Sequence, residues 1–144
     1  MWSIFLDILF PFLYIQLILN RVLITYYFVP SDEQSFTRWM EEYKIFVRDT
    51  VNRYKDNVKK WELWNEPNFK EWWYPRPDST LYGRWADAMQ QEIKAADFSA
   101  QIPWGCLTLL DEGLSNSEDY IPGDRFLEDL YSLGYYLFTS IRIE

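Results

Sequence analysis

The chain has 144 residues, enough for one ordinary domain, and 22 acidic against 14 basic side chains give it a net charge of −8. This charge would repel a phosphate backbone, so we expect no nucleic-acid partner. Because the sequence contains no histidine, it excludes Ser-His-Asp and Cys-His catalysis and any histidine-ligated metal site. Carboxylates must therefore carry any catalysis, and we expect no metal or other cofactor.

Aromatic side chains make up 20% of the residues, with eight Trp and eleven Tyr. Surplus flat rings occur where a protein stacks against a ligand such as a sugar, although an aromatic-rich core explains the same composition. The single cysteine, Cys106, cannot form an internal disulfide, so the sequence leaves the redox compartment open.

Residues 1–20 form an apolar N-terminal segment that differs from the rest of the chain. The run from Ile8 to Leu19 is almost free of polar groups, but it is shorter than the roughly 20 residues that a membrane span needs. The acidic Asp7 stands where a signal peptide has a basic start, and Pro11 interrupts any helix through the segment. A buried helix, a non-cleaved anchor and a stretch from outside the true reading frame all stay open.

From Arg21 onward, strands and helices are predicted to alternate. A continuous β-branched and aromatic run over residues 22–29 indicates a strand buried on both faces. Apolar residues at helical spacing from 36 to 54, with Ser35 as the cap, predict a helix. Residues 60–64 are a second short strand.

The second half of the chain continues the alternation. The stripe of apolar residues over 82–96 predicts an amphipathic helix, and residues 100–110 an irregular strand. Asp124 caps a short predicted helix that Gly134 ends, and residues 137–143 form a last strand. This order predicts a parallel α/β architecture, either a barrel or a doubly wound sheet. Because no glycine-rich turn follows the first strand, a dinucleotide-binding fold has no support.

The second predicted strand runs into the sequence Trp-Asn-Glu-Pro at residues 64–67. Side chains at the carboxyl ends of parallel strands converge on the mouth of a barrel, and Glu66 is predicted to lie there. Trp64 supplies an apolar surface that favours the protonated carboxylic acid, the form that donates a proton to a leaving glycosidic oxygen. Asn65 offers a donor and an acceptor to a sugar hydroxyl. A solvated glutamate in a plain turn is the alternative. Glu62 shares the strand face of Glu66 and either joins a polar layer or pairs with a cation.

The octapeptide Trp-Glu-Leu-Trp-Asn-Glu-Pro-Asn at residues 61–68 resembles the acid/base strand of the clan A glycoside hydrolases, which include cellulases, β-xylosidases and endo-mannanases. Weaker flanking matches extend the resemblance over residues 21–144. The resemblance implies an α/β fold, namely an incomplete (β/α)8 TIM barrel with about half of the barrel, roughly strands 3 to 6. The apolar segment 1–20 would precede this partial glycoside hydrolase domain at 21–144.

The resemblance implies a retaining O-glycosyl hydrolase that acts on β-linked poly- or oligosaccharides. Glu66 would be the general acid/base, and Asn65 would contact the 2-hydroxyl of the substrate. Trp72, Trp73 and Tyr74 follow on the next loop, where their rings would form sugar-stacking platforms at the mouth. Packing within the loop is the alternative for each ring.

In this clan the nucleophile closes the seventh strand, whereas this chain is expected to stop on the sixth. A retaining mechanism needs two carboxyl groups about 5–5.5 Å apart. We therefore expect the partial chain to hydrolyse aryl glycosides no better than its Glu66→Gln variant. A carbohydrate-binding module without hydrolysis and a membrane-associated protein anchored by residues 4–29 are the competing hypotheses. A carbohydrate is the expected partner; secretion would suit polysaccharide degradation, and the oligomeric state stays open.

Overall fold

The structure is a computed structural model that describes residues 13–18, 21–26, 29–103, 105–109 and 118–135, with only the backbone of the first two ranges. Three helices and three short strands make up the described secondary structure. The second helix contacts the other two helices and the third strand, so it forms the centre of the packing.

The sheet contains β1 (Leu13–Ile18), β2 (Arg21–Tyr26) and β3 (Lys60–Leu63), in the order β1-β2-β3. β1 pairs with β2 antiparallel over six residues, whereas β2 and β3 are parallel. The described part of the apolar segment is therefore a strand that belongs to the same sheet as the following residues. None of the helices in the described ranges is both long and apolar enough to cross a membrane.

The first helix, α1 (Glu33–Tyr54), confirms the helix predicted from apolar spacing. Its N-cap is Asp32, whose side chain accepts a hydrogen bond from the Ser35 N–H at 2.9 Å. The predicted cap at Ser35 is therefore wrong, because a carboxylate three residues earlier already satisfies that N–H group. The helix buries one face, formed by Phe36, Tyr43, Val47, Thr50 and Val51.

The second helix, α2 (Ser79–Ala96), is also confirmed, and it begins three residues before the predicted start. Asp78 caps it by accepting from the Leu81 N–H at 2.9 Å. Its buried apolar side chains recur at helical spacing, so one face of α2 covers β3 and meets α1. These side chains are Tyr82, Trp85, Ala86, Met89 and Ile93.

The third helix, α3 (Gly123–Ser132), is confirmed, but its N-cap is Pro122 and no side chain caps it. The predicted cap at Asp124 is wrong, because this residue already lies in the first helical turn. Gly134 ends the helix as predicted. Its φ of 85° suits glycine, and the Tyr135 N–H donates to the Leu130 carbonyl across the turn at 3.0 Å.

The predicted incomplete (β/α)8 barrel is wrong. All strands of such a barrel are parallel, whereas the described sheet has only three strands and begins with an antiparallel pair. Helix accounts for most of the regular structure in the described ranges. The last predicted strand, at residues 137–143, lies outside the described residues.

The predicted strand at residues 100–110 is also wrong in its described part, which forms only single-residue bridges at Gln101 and Leu107. The segment nevertheless lies beside β3: the Leu63 N–H donates to the Pro103 carbonyl at 3.2 Å. Pro103 has no N–H to return to β3, so a continuous ladder cannot form there.

The core lies between α1, α2 and β3 and is unusually aromatic. Four of the eight Trp side chains have no more than 1% of their surface exposed, so packing explains much of the aromatic content. Ring-to-ring contacts join six of its Trp and Tyr residues, which we call the aromatic cluster: Trp39, Tyr43, Trp64, Trp73, Tyr82 and Trp85.

Candidate functional site

A strained turn follows β3. Trp64 has φ 70° and Glu66 has φ 48°, in the left-handed region that side chains other than glycine rarely adopt. Each such residue costs about 1–3 kcal/mol and persists only where the surrounding structure enforces it, which happens often at functional sites. The turn also ends the alternation of buried and partly exposed side chains along β3, because the consecutive residues Leu63 and Trp64 are both fully buried.

Hydrogen bonds from two neighbouring segments hold the backbone of this turn. The Leu63 carbonyl accepts from the Tyr82 hydroxyl at 3.0 Å and from the Gly105 N–H at 2.9 Å. The Glu66 N–H donates to the Cys106 carbonyl at 2.8 Å. Burial raises the pKa of the Tyr82 phenol, so this hydroxyl stays protonated and remains a donor. The turn is therefore tied to α2 on one side and to residues 105–106 on the other.

Gly105 is the residue that allows this close approach. A Cβ at position 105 would lie 2.7 Å from the Leu63 carbonyl oxygen and closer still to that of Trp64. Both neighbours are backbone atoms of the strained turn, so neither can move aside cheaply. In the sequence, Gly105 indicated only an irregular strand; its position in a predicted strand, two residues after a proline, was the available signal.

The indole of Trp64 anchors the turn in the core. Its ring centroid lies 4.8 Å from that of Trp73 and 5.1 Å from that of Trp85. Its Nε1–H donates to the Trp72 carbonyl at 2.9 Å. The ring is thus part of the aromatic cluster, and its polar edge reaches the loop that follows the turn.

Glu66 and Asn65 lie side by side at the carboxyl end of β3, and both are partly exposed. Within the described ranges, the carboxylate of Glu66 has no hydrogen-bond or ion-pair partner. A half-buried carboxylate without a partner is open to a ligand or to proton transfer. The structure thus brings together the two polar residues of the predicted site.

Glu62 lies on β3, on the face opposite Trp61 and Leu63. Its carboxylate accepts a hydrogen bond from the Cys106 thiol, with 3.4 Å between Oε1 and Sγ. The sequence predicted either a polar layer or a cation partner for Glu62, and it did not predict this contact with a thiol. Glu62 and Cys106 thereby link β3 to the segment that carries Gly105.

The three aromatic residues of the following loop divide into two groups. Trp72 and Tyr74 expose 38% and 41% of their surface, whereas Trp73 exposes 1%. A buried ring offers no face to a sugar, so the expected stacking role of Trp73 is corrected to packing against Trp64. Trp72 and Tyr74 keep the exposure that a stacking platform needs.

Asn68, the last residue of the octapeptide, holds this loop in place. Its fully buried amide nitrogen donates to the carbonyls of Thr108 and Ile121, at 2.9 and 3.0 Å, and its oxygen accepts from the Thr108 N–H at 2.9 Å. Buried amides with satisfied hydrogen bonds fix loops firmly. The sequence assigned no role to Asn68, although its place in the octapeptide was a signal.

The polar and aromatic groups of the turn and its loop lie on one short stretch of chain. Within the described ranges, no group of three or more Asp, Glu, Cys or His side chains could hold a metal ion. The turn instead combines the carboxylate of Glu66, the amide of Asn65 and the exposed rings of Trp72 and Tyr74 on one stretch of chain. These groups are suited to bind a polar ligand with flat apolar faces and to exchange a proton with it.

Comparison with known proteins gives this site no further assignment. No protein-family model matches the chain, and no curated protein sequence matches it significantly. Any functional assignment therefore depends on the residues and the geometry of the turn.

Proposed function

We propose that the chain carries the acid/base site of a retaining O-glycosyl hydrolase that acts on β-linked poly- or oligosaccharides. Glu66 is the general acid/base of this proposal, and Asn65 holds the sugar hydroxyl next to the anomeric carbon. The observation that carries it is the half-buried carboxylate of Glu66, which has no partner among the described residues and lies in a turn held against its backbone preference.

In the proposed reaction, protonated Glu66 gives its proton to the glycosidic oxygen as the bond to the anomeric carbon breaks. The resulting carboxylate then takes a proton from the water that completes hydrolysis. A second carboxylate about 5–5.5 Å away must attack the anomeric carbon in a retaining enzyme. We assign no residue to that role, so we expect no turnover from Glu66 alone.

Binding of carbohydrate without hydrolysis is the second candidate. It is favoured by the exposed rings of Trp72 and Tyr74, because stacking on a sugar requires aromatic faces and no pair of carboxylates. Both candidates place the sugar on these rings. They differ in whether the carboxyl group of Glu66 reaches the glycosidic oxygen.

An affinity label separates the two candidates without requiring turnover. In 4,5-epoxypentyl β-cellobioside, a pentyl chain that ends in an epoxide stands in place of the leaving sugar. A carboxylate oxygen that reaches it attacks an epoxide carbon, an ester forms, the epoxide C–O bond breaks and the freed oxygen takes up a proton. Peptide mass spectrometry then locates the ester.

We expect saturable labelling of Glu66 that excess cellohexaose prevents. Glu66→Gln should remove the label, whereas Glu71→Gln, on the exposed part of the same loop, should not. Labelling spread over exposed carboxylates without protection would overturn the hydrolase proposal. Tight binding of cellohexaose with Glu66 unlabelled would support the binding module instead.

A further inference from the structure

The indole of Trp64 differs from two other buried indoles of the core in its hydrogen bond to the loop. Two other indoles of the same core, those of Trp61 and Trp85, are fully buried, and their Nε1 atoms have no hydrogen-bond partner among the described residues. The Nε1–H of Trp64 is instead directed to the Trp72 carbonyl at 2.9 Å. The core thus tolerates buried indoles without this bond, and the bond of Trp64 connects the core to the loop.

The same hydrogen bond joins the two parts of the candidate site. Trp64 precedes Glu66 by two residues in the strained turn, and the Trp72 carbonyl belongs to the residue with the first exposed ring of the loop. Around Trp72 the backbone is fixed further: its N–H donates to the Phe69 carbonyl at 3.1 Å, and the next ring, of Trp73, packs on Trp64. The loop thus returns to the core at Trp73, after an earlier buried anchor at Asn68.

We propose that Trp64 is a positioning residue, whose indole N–H fixes the carboxyl group of Glu66 relative to the stacking surface of Trp72 and Tyr74. This inference depends on the proposed function, because it assumes that a sugar lies on those rings. Without the hydrogen bond, the end of the loop at Trp72, beyond the anchored Asn68, can shift while the rings still bind the sugar. A displacement of about 1 Å at a reacting group is enough to lower a rate by up to about 100-fold.

The test compares two matched variants in the affinity-label experiment. Trp64→Phe and Trp85→Phe each shorten a fully buried indole of the aromatic cluster, but only the first removes a hydrogen bond to the loop. The labelling rate is measured at increasing concentrations of 4,5-epoxypentyl β-cellobioside. This titration gives the labelling rate at saturation and the reagent concentration for half-saturation. We expect Trp64→Phe to lower the labelling rate at saturation about tenfold, with little change in the half-saturating concentration. Trp85→Phe should change the labelling rate at saturation less than twofold.

Equal effects of the two variants on the saturated rate would overturn the inference and leave the proposed function standing. Absence of saturable labelling in the unmodified chain would overturn both. A second measurement applies even if Trp64→Phe fails to fold: hydrogen exchange of the indole N–H groups in the unmodified chain. The Trp64 N–H should exchange more slowly than the indole N–H of Trp85, which is equally buried but has no acceptor among the described residues, and equal rates would rule out the link.

Discussion

The aromatic cluster and the turn at residues 64–66 share Trp64, but they differ in how well their residues match local backbone preferences. The cluster members on α1 and α2 lie where helical spacing places them, as with Tyr82 and Trp85 on α2. In the turn, Trp64 and Glu66 adopt backbone angles that their residue types disfavour. The difference shows that the core is built from local preferences, whereas the turn is imposed on the chain by its neighbours. A structure retains such a turn at a cost, which suits a site whose carboxylate must be held in place.

The largest effect is expected where a core ring is removed. Phe126 on α3 is fully buried, and its ring centroid lies 5.5 Å from that of Tyr82. Phe126→Ala should lower the free energy of unfolding by about 3–5 kcal/mol, because it leaves a cavity. Phe98→Ala is the matched control: its ring is 88% exposed, and its loss should cost less than about 0.5 kcal/mol. Similar urea midpoints for the two variants would contradict this account of the core.

The turn can be broken without removing any buried ring. Gly105→Ala would force a Cβ against the carbonyls of Leu63 and Trp64, and it should cost about 3 kcal/mol. Gly123→Ala is the control, because its Cβ would meet only the side chains of Leu107 and Leu109 at 3.6–3.8 Å. Urea unfolding should show little change for this control. A loss below about 1 kcal/mol for Gly105→Ala would mean that the close approach is absent.

The strain in the turn predicts a stabilising substitution. The left-handed conformation costs a residue other than glycine about 1–2 kcal/mol, and glycine at position 66 removes this cost. Glycine also increases the backbone entropy of the unfolded chain, which lowers stability by less than about 1 kcal/mol. Glu66→Gly should therefore raise the free energy of unfolding by about 0.5 kcal/mol. Glu71→Gly, in the exposed part of the loop at an ordinary φ, should lower it by about as much. If both variants are destabilised equally in urea, Glu66 is not strained.

The smallest effect concerns acid stability away from the turn. The hydrogen bond from Lys59, aided by one from Ser99, lowers the pKa of Asp97 from 3.8 to about 2. A carboxylate with a lowered folded-state pKa stabilises the protein above its unfolded pKa, and this stabilisation is lost as the pH falls from about 4 to about 2. Asp97→Asn should flatten that part of the stability curve. Asp56→Asn, in an exposed turn, serves as the control in urea titrations at each pH; an unchanged curve for Asp97→Asn would refute the assignment.

The helices were predictable because their signals are local. Apolar spacing placed α1, α2 and α3, and Gly134 correctly marked the end of α3. The caps were less predictable. Ser31, Asp32 and Ser35 all lie near the start of α1, and only the backbone geometry decides which one accepts, whereas α3 begins after Pro122 without a side-chain cap. Asp32 took the role assigned to Ser35 for this reason.

The sheet was not predictable from the same signals. The apolar run that contains β1 has no turn or charge pattern to fix its pairing partner, and its antiparallel pairing with β2 excludes the predicted barrel. Pro103 shows a second reason: an apolar run predicts an extended segment but does not show whether a continuous hydrogen-bond ladder forms.

The sequence indicated the residues of the candidate site but not the backbone angles and packing that hold them. The octapeptide indicated Asn65 and Glu66, and the structure places them together at the end of β3. The positive φ angles left no trace in the sequence, because neither Trp64 nor Glu66 is a residue that favours them. Burial of Trp73 beside the exposed Trp72 depends on tertiary packing that adjacent, chemically alike residues cannot reveal.

A crystal structure of the Glu66→Gln variant with bound cellohexaose tests the central claim most directly. We predict sugar rings stacked on Trp72 and Tyr74, positive φ at Trp64, and a glycosidic oxygen within about 3.2 Å of the side chain at position 66. A sugar bound elsewhere on the chain, or a side chain at position 66 directed away from the bound sugar, would contradict the proposal.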